Sequence, residues 1–250
     1  MSRRIAIFHW LLALAAGAFA LGGYSGASLA QTRAATPLNI VVYGGSGNAG
    51  SRIAKEAAAR GHTVTVVDKS PKPDLAPPGV KVVAGDAMDA KDIAKNIAGA
   101  DAVVSAVIAR PTPTPTFAVD IVKAMLEAQR SETGKKPRLI VVGGASSLNN
   151  AQGQRIVDTL PAGMGGNNEI KSTVDALDYL LEVKDASWTF FSPSSSFGPG
   201  QRTGTFRLGT DTLLTGANGR SAISMEDAAV AILDEIEKPQ YINKRFTAGY

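Results

Sequence analysis

The chain has 250 residues, 44% hydrophobic and 19% charged, a balance that suits a folded protein with a sizeable core and excludes a disordered or fibrous one. It has no Cys, which excludes disulfides, thiolate metal sites, iron–sulfur clusters and cysteine nucleophiles. The net charge is +4, half of it from Arg3 and Arg4, so nucleic acid is not an expected partner.

Residues 1–30 read as a signal peptide. Arg3 and Arg4 precede an apolar run from Trp10 to Leu21, and Ser28-Leu29-Ala30 before Gln31 suits a small-x-small cleavage site. The alternative is an uncleaved anchor, because Ile5–Gly23 nearly spans a bilayer. Ser2-Arg3-Arg4 also matches part of a twin-arginine signal, with Ala6 at the usual Phe position. The expected location is periplasmic or secreted, with no stable membrane association after cleavage. Residues 31–37 read as a flexible lead-in, and 38–250 as a single domain. His9 lies in the leader, so His62 is the one imidazole beyond it and multi-His metal sites are not expected.

From Leu38 on, strand-length apolar runs alternate with amphipathic stretches. Asn39–Tyr43 is a buried strand, followed by a glycine turn and a helix over Asn48–Arg60. Gly61 ends that helix, and His62–Asp68 is a β-branched second strand that leaves His62 as a surface or turn residue. Prolines 71, 73, 77 and 78 enforce a loop before a third strand at Val80–Ala84. Met88–Ile97 is a short helix and Asp101–Ala109 a fourth strand. Arg110–Thr116, with Pro at alternate positions, is extended. Phe117, Ile121, Val122, Met125 and Leu126 form one helical face, and Arg138–Val142 is strand five. A Gly/Asn-rich loop then leads to a helix at Asn168–Lys184 and a sixth strand at Trp188–Ser192. A helix near Met225–Lys238 and a strand near Arg245–Thr247 close the chain.

This alternation predicts an α/β fold, a doubly wound parallel sheet in the order 3-2-1-4-5-6. The residues after 192 are expected to form a small C-terminal lobe.

The informative segment is Gly44-Gly45-Ser46-Gly47-Asn48-Ala49-Gly50, between the first strand and the first helix. A tight turn needs glycine torsions, a diphosphate must approach bare N–H groups, and a helix N-terminus adds partial positive charge. Placed there, G-x-x-G-x-x-G points to a dinucleotide. No Lys-Ser/Thr pair follows, which argues against a triphosphate loop, and Asn48 breaks the Gly-x-Ser-x-Gly pattern of a nucleophile elbow. Strand two ends at Asp68-Lys69, where the adenosine ribose would sit. Asp68 would accept from ribose hydroxyls, and Lys69 would attract a 2′-phosphate, so these two residues leave NAD and NADP both open.

The segments GGSGNAGSRIAKEAAARGHTVTVV, Val83-Ala84-Gly85-Asp86 with Asp89, and Gly99 to Ala106 carry a family resemblance. So do Leu139 to Ser147, Trp188 to Pro193, Arg202-Thr203-Gly204, Ile223-Ser224 with Asp227, and Phe246 to Tyr250. The chain resembles the atypical short-chain dehydrogenase/reductase proteins with a lone NAD(P)-binding domain. That group includes NADH-flavin-reductase-like, biliverdin-reductase-B-like and NmrA-like proteins. The resemblance implies that Asp86 binds the adenine amino group beside Ala87. It implies that Ser105, Ala106 and Val107 line the ribose–nicotinamide path. It sets the nicotinamide beside Gly143–Ser147 and Pro193–Ser194, and it favours NADP slightly through Lys69.

The Tyr-x-x-x-Lys pair of typical dehydrogenases of this fold is absent. None of Tyr43, Tyr179, Tyr241 and Tyr250 has Lys four residues on. Ser146 or Ser147 could hydrogen-bond a substrate carbonyl, and Lys171 could orient the nicotinamide ribose or hold an anionic substrate. Two functions follow. One is an NAD(P)H-dependent reductase that passes hydride to a planar conjugated acceptor, a flavin or quinone. The other is a non-catalytic NAD(P)-binding sensor or interaction protein. The partner is a small-molecule acceptor, and a homodimer is left open.

Overall fold

The structure is a computed structural model and describes residues 36–108, 111–161, 163–164 and 167–250. The expected leader and most of the lead-in lie outside the described residues.

The first six strands of the parallel sheet are β1 (Asn39–Tyr43), β2 (Thr63–Asp68), β3 (Lys81–Ala84), β4 (Ala102–Ser105), β5 (Arg138–Val142) and β6 (Trp188–Pro193). Their order is β3-β2-β1-β4-β5-β6, the doubly wound arrangement. Strands β1, β2, β4 and β5 are short and rich in Val and Ile because both of their faces are covered. Alternate residues divide between two cores. Val41 and Tyr43 pack with Phe190 and Trp188 under helices α2 (Ala90–Ile97), α3 (Phe117–Ser131) and α5 (Asn168–Glu182). Ile40 and Val42 pack with Phe191 and Val104 under α1 (Asn48–Ala59) and α6 (Met225–Glu237). A short helix, α4 (Ile156–Thr159), lies in the loop before α5.

The residues after β6 form a C-terminal extension of the sheet. Strand β10 (Lys244–Gly249) runs parallel to β6, and β8 (Arg207–Gly209) pairs antiparallel to β10, so the sheet has eight strands. Only β7 (Ser196–Gly198) and β9 (Ala222–Ser224) form a separate two-stranded ribbon. The driving force is burial. Phe246 and Ala248 are inaccessible to solvent, and the Phe246 ring lies 5.0 Å from both Phe191 and Tyr241.

His62 is also placed differently from its expected surface position. It is buried, its Nδ1 accepts from the Leu38 N–H at 3.2 Å, and its Nε2 lies 2.9 Å from Glu237 Oε1. With Nδ1 accepting, the ring proton sits on Nε2 and is donated to Glu237. His62 therefore ties the start of β1 to the end of α6.

Among the described residues, no helix is long and apolar enough to cross a membrane.

Candidate functional site

The strand order reverses between β1 and β4, and a crevice opens beyond the carboxyl ends of β1 to β4. It has a volume of about 450 Å³. Nine residues singled out from sequence line it: Gly44, Ser46, Gly47, Asp68, Lys69, Asp86, Ala87, Ala106 and Val107.

The turn that opens α1 is built on close approach. Gly44 has φ +77°, and a Cβ there would lie 2.6 Å from the Ala106 carbonyl oxygen. A Cβ on Gly50 would lie 2.2 Å from the Gly44 carbonyl oxygen, so only glycine lets the helix start directly on the turn. Gly45 packs against Val66, where a Cβ would fall 2.6 Å from a methyl.

Gly47 occupies the N-cap position and no side chain caps α1. The first backbone N–H of the helix with a protein acceptor is that of Ser51, which donates to Gly47. The N–H groups of Asn48, Ala49 and Gly50 therefore have no protein acceptor among the described residues, and the first turn carries no acidic residue. Helices α2, α5 and α6 are capped by Asp89, Asn167 and Ser224. Helix α3 also lacks a capping side chain, but its Phe117 and Ala118 N–H groups donate to the Thr114 carbonyl and the Ser172 hydroxyl. The bare donor set at the start of α1 fits a diphosphate.

The carboxylates around the crevice are each engaged. Asp68 Oδ2 accepts from the Ser46 N–H at 2.9 Å and from the Ser46 hydroxyl at 2.7 Å. That oxygen braces the glycine turn. Asp86 Oδ2 accepts from Lys69 Nζ at 2.9 Å, and its Oδ1 accepts from the Met88 N–H at 3.0 Å. The Lys69 ammonium, with the Met88 N–H, holds the Asp86 carboxyl below the usual carboxylate range. Beneath them, Asp92 accepts from the Asp86 N–H at 2.8 Å, and Asn96 donates to the Tyr43 hydroxyl at 3.3 Å. Burial pushes the Tyr43 phenol up to about 12, so it stays neutral.

Other predicted positions lie outside the lining. Ser105 is buried in β4, between Tyr43 and Val141 in register. Gly143 follows β5 and lies against Phe190, where a Cβ would fall 2.1 Å from the ring, so packing alone requires glycine there. Pro193 ends β6 opposite Ala248 of β10. Ser146 is half-buried on the turn Ala145–Ser147, while Ser147 is buried and bonded to the Gly144 carbonyl and to Ser192. Lys171 is exposed on α5 with its Nζ 2.7 Å from Asp175, an ordinary i,i+4 pair. The structure does not bring Lys171 into the crevice.

Sequence reasoning missed Tyr43, Lys72, Met88 and Ile108 as lining residues. It read Phe117 and Ile121 as core alone, though both also face the crevice. The readable signal was their place just after strand ends or at the start of a helix that follows one.

The chain matches the NAD(P)H-binding family over residues 44–239, and it belongs to that family. The crystal structure of an exported-protein candidate from Burkholderia pseudomallei is 39% identical with a TM-score of 0.75, covering 85% of this chain and 100% of that one. An epimerase candidate from Bacteroides thetaiotaomicron is 34% identical with a TM-score of 0.74, over 86% of this chain and 98% of its own. A candidate NADH-flavin reductase from Streptococcus pneumoniae is 29% identical with a TM-score of 0.74, over 85% and 99%. The Bacillus subtilis protein YwnB, itself uncharacterised, is 35% identical over 84% of this chain and 97% of its own. The fold is that of an NAD(P)-binding oxidoreductase.

Proposed function

We propose that this protein is an NAD(P)H-dependent reductase of a planar conjugated acceptor of flavin or quinone type. The observation that carries the reading is the uncapped start of α1, with three bare N–H donors beside a crevice walled by Gly44, Ser46, Gly47 and Ala106. Those donors would hold the diphosphate. Asp86 and Ala87 would meet the adenine, and the bound nicotinamide would supply hydride. The chain's own task is to hold donor and acceptor in register, because a conjugated acceptor can take its proton from water. Ser146, with no side-chain partner among the described residues, is placed to orient an acceptor carbonyl.

The phosphorylated cofactor fits better. Asp68 directs one oxygen to Ser46, while Lys69, Ser70 and Lys72 gather at the adenosine end. NADP is therefore the favoured form. We place the protein outside the cytoplasm, on the leader pattern of residues 1–30 and the exported-protein description of the Burkholderia relative. Residues 38–250 would then act as the NAD(P)-binding domain.

A second reading, cofactor binding without turnover, has one observation in its favour: no Tyr-Lys pair is present, and Lys171 is held by Asp175. One assay separates the two. The purified protein is mixed with NADPH or NADH and with FMN, riboflavin or a quinone. Saturable oxidation above the protein-free rate supports the reductase. Tight nucleotide binding with no turnover supports the second reading, and no binding of either nucleotide refutes both.

A further inference from the structure

A second cavity, of about 350 Å³, shares no lining residue with the nucleotide crevice. It lies where α5 ends and β10 begins, and it is closed by the loop after the Ala145–Ser147 turn and by residues 210–211. We propose that it is a binding site for a small carboxylate with an apolar body. The inference is independent of the reductase reading.

The charge balance carries it. Three cations line the cavity, Arg155, Lys244 and Arg245, against two acids, Asp178 and Asp211. Both acids are engaged. Asp178 accepts from Arg155 at 3.1 Å and 3.2 Å, and Asp211 accepts from Arg245 at 2.5 Å. Lys244 has no anionic partner among the described residues. One positive charge is therefore uncompensated at the wall, beside a nearly buried guanidinium.

The neutral polar groups point the same way. Asn243 Oδ1 accepts from the Trp188 N–H at 3.1 Å, which leaves its Nδ2 as an unengaged donor. The Asn149 backbone is fully paired, by Asp211 and Leu213, while its side-chain amide has no partner among the described residues. The site thus offers an ammonium and two amide donors, a set that recognises a carboxylate. Opposite them stand Leu177 and Leu181, and Leu181 is 45% exposed, an apolar wall without a cover. A cavity of this size accepts a metabolite of a few carbons.

The site touches the cofactor side through one element. Arg245 donates to the Ser147 carbonyl, so the turn that bears Ser146 forms part of the cavity wall. An occupant is therefore expected to stiffen that turn.

The test uses 4-methylpentanoate as probe, with 4-methylpentanamide as its neutral counterpart, added to the purified protein and followed by methyl NMR. We expect saturable shifts of the Leu177 and Leu181 methyls in the low-millimolar range, about what so small a ligand can reach. The amide should bind at least about tenfold more weakly. Lys244→Glu, at an exposed position, should weaken the acid by about tenfold or more, and Leu181→Gln should weaken acid and amide alike. Equal binding of acid and amide would overturn the proposal. So would shifts confined to other methyls, an unchanged affinity in Lys244→Glu, or no saturable shift at all.

Discussion

Gly47→Asp separates folding from nucleotide binding. Gly47 has φ −77° and ψ 172°, which any residue adopts, and a Cβ there would meet only the Gly44 carbonyl oxygen, at 3.0 Å. That contact needs a shift of a few tenths of an ångström. In return, an N-cap carboxylate would accept from the bare N–H groups of Ala49 or Gly50 and favour the positive helix end, worth a few tenths of a kcal/mol over glycine. Stability should therefore stay within about 1 kcal/mol of the parent. Nucleotide binding should collapse. At about 4 Å and an effective dielectric of about 20, the carboxylate and one diphosphate charge repel by about 4 kcal/mol, close to 10³-fold in affinity. Isothermal titration with NADPH and NADH reads the affinity, and urea unfolding reads the stability. Retained binding within about threefold of the parent would refute the placement of the diphosphate.

Lys69→Gln should cut the preference for NADPH over NADH by about tenfold while leaving NADH affinity close to the parent, as read by the ratio of dissociation constants. Gly143→Ala should destabilise the fold by about 1–3 kcal/mol through its clash with Phe190, and Phe190→Leu in the same chain should recover part of that loss in urea unfolding. Asp227 gives a pH signature. Burial raises its carboxyl, but donation from Thr203, Gly204 and Tyr250 outweighs this and leaves it below the usual range. Its stabilising contribution is therefore complete above about pH 4 and fades as pH falls through the lower folded value; in Asp227→Asn this part of the acid loss should disappear. Replacing Arg3-Arg4 with a lysine pair should block export in cell fractionation if the twin-arginine route is used.

The parallel sheet was legible because its strands are continuous runs such as Asn39–Tyr43 and Arg138–Val142, and burial on both faces leaves few other assignments. The glycine turn was legible because its spacing is local. What escaped is long-range or short. Strands β7, β8 and β9 have three residues each, too few to show a period. The Ser46–Asp68 brace joins residues 22 apart, and His62 is buried by Glu237, 175 positions away. Neither has a signature at the level of neighbouring residues. The fate of Lys171 was readable, since Asp175 stands four positions on, the ordinary partner of a helix-surface lysine.

The place of β10 constrains how this protein can be made. Residues 244–249 lie between β6 and β8, and β8 has no other neighbour in the sheet. A nascent chain still inside the ribosome at residue 240 lacks that strand and leaves the flank of β6 open. Sheet completion is thus deferred until residues 244–249 have left the ribosome, so the open flank of β6 is covered only after the rest of the sheet has been made.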